Sequence, residues 1–165
     1  MPNDMLPHIL MYFRAEKTAG FYLLLIAVVA IAVSAWLWWS KSRIRGMALP
    51  LALIAIIELG VGGTVYLRTD RQIDSLTEQY YSNPVAYKST EIARMGMVMT
   101  SFQIYKMVEM ALLILGIALV VVFRARPFIF SIGVGLIVQM GILLAFDWLA
   151  AQRAALYMDA IGRMK

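Results

Sequence analysis

An all-α integral membrane protein is the fold class this chain predicts, with four transmembrane helices in a bundle and helices 2 and 3 extended beyond the membrane as an antiparallel hairpin. Three observations predict it. The 165 residues are 62% hydrophobic with a mean hydropathy of +0.76, well above the apolar share of a soluble domain. Four apolar runs, at about 20–39, 48–67, 101–123 and 128–149, each approach the roughly 20 residues that a helix needs to cross a bilayer. Between the second and third runs, two stretches without a helix breaker flank one strong turn signal, Ser82, Asn83 and Pro84.

The N-terminal segment, residues 1–18, lacks the apolar centre and cleavage pattern of a signal peptide. Met5, Leu6, Ile9, Leu10, Tyr12 and Phe13 alternate there with His8, Arg14, Glu16 and Lys17, the pattern of a short helix lying in the interface. Residues 19–165 form a single four-helix domain. Its first span has no charge until Lys41, and its end carries Trp36, Trp38 and Trp39 followed by Lys41, Arg43 and Arg45, an aromatic belt and then a basic cluster.

The second span runs on without proline from Leu51 to Tyr81, and the third runs from a cap at Ser89 or Thr90 to Phe123. At 1.5 Å per residue these arms are roughly 45 to 55 Å long against a hydrocarbon core of about 30 Å, so about 20 Å of each stands in water. The projecting hairpin, about 68–100, repeats Ile73, Leu76 and Tyr80 on one arm and Val85, Ile92, Met95 and Met99 on the other at helical spacing. Folding at residue 83 sets Glu78 opposite Lys88 and brings Asp74 and Arg71 near Arg94 and Glu91. Tyr80, Tyr81 and Tyr87 at the tip are candidate contacts for a partner, because aromatic side chains are enriched at interfaces. The fourth span ends at Asp147 and Trp148, yet nothing stops its helix before Gly162, so it too leaves the membrane and leans on the hairpin.

The two tight loops, at Lys41 to Arg45 and Arg124 to Arg126, hold five basic residues and no acid. The positive-inside rule puts them in the cytoplasm, with both termini and the hairpin outside, and helical spans point to a bacterial inner membrane. This accounts for the net charge of +5 without nucleic acid as a partner.

No catalytic constellation is present. The chain has no cysteine and one histidine, His8, which leaves no thiolate or bis-histidine centre, and neither a metal nor a cofactor is expected. The run of methionines from Met95 to Met110 points several ways around its helix and suits adaptable packing. Gly60, Gly62 and Gly63, and the pair Ser131 and Gly135, are small residues of the kind that bring helices together within or between subunits.

Chemistry is therefore sought in the charges inside the spans, which are costly in lipid and must face the bundle or a subunit contact. Counted from the basic loops, Glu58, Gln139 and Glu109 fall at roughly 16, 18 and 21 Å, one polar layer, with Lys106, Tyr66, Arg68 and Asp147 slightly further out. In a structural reading Lys106 and Arg68 neutralise Glu109 and Asp147, and Gln139 hydrogen-bonds Glu58. In a functional reading the layer binds a cation or carries a proton. The chain is thus expected to be a non-enzymatic membrane protein, with the lipid bilayer around it, whose hairpin mediates assembly with itself or with a membrane-protein partner. The alternative is a small oligomeric channel or proton-coupled transporter using Glu58, Gln139 and Glu109.

Overall fold

The computed structural model describes residues 4–164. They form four long helices, α1 (Leu6–Trp39), α2 (Ala48–Ser82), α3 (Pro84–Val122) and α4 (Pro127–Gly162), with a short 3-10 turn at Arg45–Met47 and no strand. All four are long and apolar enough to cross a membrane. At 34 to 39 residues each is about 50 to 60 Å long, roughly twice the hydrocarbon thickness.

The helix ends follow from local chemistry. α1 stops where Lys41 takes a left-handed backbone, φ 50°, which breaks the helical ladder. α2 and α3 meet at Asn83, whose side-chain oxygen accepts from the Ala86 N–H at 3.0 Å, while Pro84 fills the first helical position where no N–H is needed. Pro127 starts α4 in the same way, and α4 runs on to Gly162 as the absence of breakers predicts.

At the end of the molecule that carries the turn at Asn83, all four helices pack together. Ile9, Tyr12 and Phe13 of α1, Tyr87 and Met95 of α3, and Ala154, Tyr157 and Ile161 of α4 form one buried core, with Ile73, Leu76 and Tyr80 of α2 packed against it. This corrects the interfacial N-terminal helix. Residues 6–18 are the first turns of α1, and their apolar stripe is buried on other helices instead of lying open to headgroups. A stripe of this spacing suits either surface, and the partner was hidden because it comes from α3 and α4, more than 70 residues away.

The expected pairing of the hairpin arms is also corrected. α2 packs chiefly on α1 and α3 chiefly on α4, and among the described residues no ion pair joins α2 to α3. Asp70 of α2 is held by Lys17 of α1 at 2.6 Å, Glu16 of α1 by Arg153 of α4 at 2.9 Å, and Lys88 donates to the Met164 carbonyl. Of the charges expected to meet across the hairpin, Lys88 is taken by the carbonyl of Met164 beyond α4, and Arg94 pairs with Glu91 on α3 itself.

Towards the basic loops the bundle opens into a row, α1, α2, α4, α3. A Cβ on Gly62 of α2 would lie 2.9 Å from the Gly20 carbonyl oxygen of α1, and one on Gly133 of α4 would lie 2.6 Å from the Gly116 carbonyl oxygen of α3. Only glycine permits these approaches, and they hold the outer helices to the inner ones. Gly135 meets Pro50 and Met47 at the start of α2 in the same manner. The Cα atoms of α1 and α3 never come within 8 Å of each other.

Candidate functional site

The polar groups of the apolar zone fall into two stations, both built on α4. At the first, Gln139 of α4 donates to Glu58 Oε1 of α2 at 2.6 Å. Glu58 is 2% exposed, and the other carboxylate oxygen, Oε2, meets no donor among the described residues. A donor from Gln139 was anticipated from shared depth, and it satisfies half of the carboxylate.

At the second station, Glu109 of α3 faces Asp147 of α4. Glu109 is 8% exposed, and its Oε2 and the Asp147 Oδ2 are both buried without a donor among the described residues. Lys106 is the nearest cation and acts on both acids from an exposed position one turn along α3. Arg68 is exposed beside Ile57, Gly60 and Thr64 on the surface of α2, and among the described residues no ion pair joins Lys106 or Arg68 to either acid. Of the two cations expected to neutralise these acids, Lys106 acts on both through its charge without an ion pair, and Arg68 stands on the outer surface of α2.

One layer has become two stations because depth counting treats the helices as level and parallel. Gln139 and Asp147 lie eight residues apart on α4, about 12 Å along its axis and 80° around it. One helix thus presents the amide to α2 and the carboxylate to α3. Two carboxylates in contact, each with an unmet oxygen, are satisfied when they share a proton, which lies between them as a donor to one and a covalent partner of the other. Among the described residues no three Asp, Glu or His side chains gather as a metal site.

The buried polar groups at the turn end behave differently. Glu91 of α3, 1% exposed, receives both Nε and Nη2 of Arg94 at 2.7 Å and the Tyr157 hydroxyl at 2.9 Å. The Tyr157 hydroxyl also meets that of Tyr87 at 2.8 Å, its ring stacks on Tyr12 with centroids 4.6 Å apart, and Arg94 lies over the Phe13 ring. Burial pushes the Tyr12 and Tyr157 hydroxyls well above the ordinary tyrosine range, the nearby acids Glu16 and Glu91 adding to it, and lifts Tyr87 up to about 12. Burial alone lowers the Arg94 guanidinium, but the hydrogen bonds and charge of Glu91 outweigh it and hold the group above its usual value. Among the described residues of this half, one neutral hydroxyl, Thr77 Oγ1, is a buried side-chain oxygen without a partner.

The sequence does not announce this network, since folding the hairpin at residue 83 brings Glu91 and Arg94 near Asp74 and Arg71 instead. Its trace was the spacing of Tyr87, Glu91 and Met95, one inward face at four-residue steps. Of the three tip tyrosines, Tyr87 is wholly buried and so is corrected from a partner contact to a core residue, because its hydroxyl is spent on Tyr157. Tyr80 is half-buried, with its hydroxyl accepting from the Met5 N–H at 3.3 Å, and Tyr81 remains 63% exposed.

Fold and site together define an all-helical protein with four helices of membrane-spanning length and composition. No protein-family model, no curated protein and no solved structure matches the chain.

Proposed function

We propose that this is a non-enzymatic protein of a bacterial inner membrane that takes up and relays protons on its intramembrane carboxylates, as a small channel or proton-coupled transporter built from several copies. One observation carries the reading: Glu58, Glu109 and Asp147 are three acids in the apolar zone, and each keeps a buried carboxylate oxygen without a donor. Acids at membrane depth are expensive and are kept where a pathway needs them, and buried polar groups without partners are rare enough to require a cause. Gln139 holds Glu58 in place by one oxygen and leaves the other to accept a proton. The acid-free basic loops support a cytoplasmic position for themselves and an outward one for the termini and the turn. α3 supports contact between copies, since 11% of its most apolar window is buried within the chain against 28 to 33% for the other helices.

The test is proton flux into liposomes that contain the purified protein and a trapped pH indicator, driven by a potassium potential. The reading predicts flux above that of protein-free liposomes, lost in Glu58→Gln and reduced in Glu109→Gln, with the protein still inserted and helical. Flux equal to empty liposomes contradicts it.

A second reading, assembly through the outward hairpin, is favoured by the exposure of Tyr81 and Val85 beside the turn, 63% and 80%. It ranks below the first because, Val85 apart, the apolar stripes of both arms are already packed into the four-helix core. Tyr81→Ala with Val85→Ser is predicted to abolish co-purification of a cross-linked partner if this role is real, and unchanged cross-linking rejects it.

A further inference from the structure

The loop between α1 and α2 lies beside a groove that the proton reading does not use. The groove, about 430 Å³, runs between α1 and α2 and is lined by Ile31, Ser34, Ala35, Trp38, Ala48 and Ala52. From Ile31 to Trp38 it descends about 10 Å from the loop into the apolar zone. Its one lining hydroxyl, that of Ser34, is spent on the Ala48 carbonyl at 2.7 Å, and below the indole rings the walls are apolar. Trp38 and Trp39 stand at its mouth, 58% and 88% exposed. Just beyond them lie Lys41, Arg43 and Arg45, all exposed and none in an ion pair among the described residues.

The fold also brings the second basic loop to this place. Gly46 is buried against the Phe128 carbonyl and Ser131, where no Cβ fits, and this clamps the first loop onto the start of α4. The Arg45 guanidinium lies 5.8 Å from the Phe128 ring centre, two residues from Arg126. Five cations are therefore gathered at one end of the molecule with no acid in either loop to meet them. Orientation in a membrane accounts for basic loops in general, but not for an apolar slot that opens directly beneath one of them.

We propose that this slot binds one anionic phospholipid, its phosphate held by Lys41, Arg43 and Arg45 and an acyl chain lying between α1 and α2. Clusters of Lys and Arg at a membrane surface attract anionic headgroups, and indole rings settle at headgroup level. The chemistry matches along the whole ligand: charge above, aromatic rings at the boundary and apolar walls below.

The groove reports on itself, because Trp38 and Trp39 line its mouth while Trp36 is not part of the lining and Trp148 lies on α4. The full chain with Trp36→Phe and Trp148→Phe is placed in phosphatidylcholine nanodiscs, and brominated phosphatidylglycerol or brominated phosphatidylcholine is added at equal mole fraction. The expected result is saturable quenching by the brominated phosphatidylglycerol at roughly a tenth of the concentration needed for the zwitterionic lipid. The triple change Lys41→Gln, Arg43→Gln, Arg45→Gln is expected to remove that preference, while Arg124→Gln with Arg126→Gln keeps most of it. Ala52→Leu fills the slot with all charges intact and is expected to weaken quenching by both lipids, which keeps the test decisive if the triple variant fails to fold. Equal quenching by the two lipids overturns the proposal, as does a preference that survives the triple change. Displacement by millimolar inorganic phosphate overturns it too, since that marks a free-phosphate site. None of these outcomes depends on proton flux.

Discussion

The two ends of this molecule bury acidic side chains in opposite ways. At the turn end, Glu91 collects three hydrogen bonds from Arg94 and Tyr157, and the tyrosine passes the chain on to Tyr87. In the apolar zone, where an unmet charge costs far more, Glu58, Glu109 and Asp147 each keep an oxygen without a donor. Stability alone would arrange this the other way round, with the better partners where the dielectric is lower. A buried network with every member satisfied holds helices in register, whereas carboxylates left half-satisfied fit the proposed role of binding protons.

The largest expected effect on stability lies at the satisfied end. Glu91→Ala strands the Arg94 guanidinium and the Tyr157 hydroxyl, and is predicted to lower unfolding stability by about 3 kcal/mol, read from the loss of near-ultraviolet circular dichroism in detergent. A comparable loss in Glu58→Gln would erase the contrast, because it would make Glu58 a structural partner of the same kind.

Next comes the helix contact that supports the second acid station. Gly133→Leu drives a side chain into the Gly116 carbonyl and is predicted to cost about 1 to 3 kcal/mol. By parting α3 from α4 it also separates Glu109 from Asp147, so flux is expected to fall with it. Flux that survives this change would confine the proton path to the first station.

Alkaline titration probes the turn end alone. Tyr87 is held at about 12 in the folded chain against an unfolded value of 10.0, so its stabilising share is fully present below pH 10 and lost as pH rises through 12. The phenolate absorbance of the buried tyrosines is predicted to appear together with loss of near-ultraviolet dichroism in that window. Phenolate formation complete near pH 10 with the bundle intact would mean that the tyrosine network is open to water.

The smallest effect is expected at the surface. Lys17 and Asp70 pair at 2.6 Å but are partly exposed, and Lys17→Ala is predicted to change stability by less than about 1 kcal/mol. A larger loss would show that the ion pairs between helices, and not the apolar and tyrosine core, set the strength of the turn end.

Much of the helix layout was legible because it depends on neighbours in sequence. The Ser82, Asn83, Pro84 turn falls between α2 and α3, and the lack of a breaker after Trp148 carries α4 to Gly162. What was not legible is which helices touch. Ile9 and Tyr12 read equally well as an interfacial stripe or a core stripe, since spacing says that a face is apolar and not what covers it. Glu91 reads from the sequence as a charge near Asp74 and Arg71 in a two-helix hairpin, because the Tyr157 that meets it is remote in sequence. The link between Gln139 and Glu58 was legible from depth. The facing of Glu109 and Asp147 was not, because it depends on the stagger of α3 against α4, which the Gly116 and Gly133 contact decides.

The most direct test of the central contrast measures two variants in two assays, Glu58→Gln and Glu91→Gln, each for proton flux in liposomes and for unfolding stability in detergent. The account predicts a crossed result: Glu58→Gln loses flux and keeps its stability, and Glu91→Gln loses stability while the folded fraction retains flux. Parallel losses in both assays, or no flux in the unaltered protein, would contradict it.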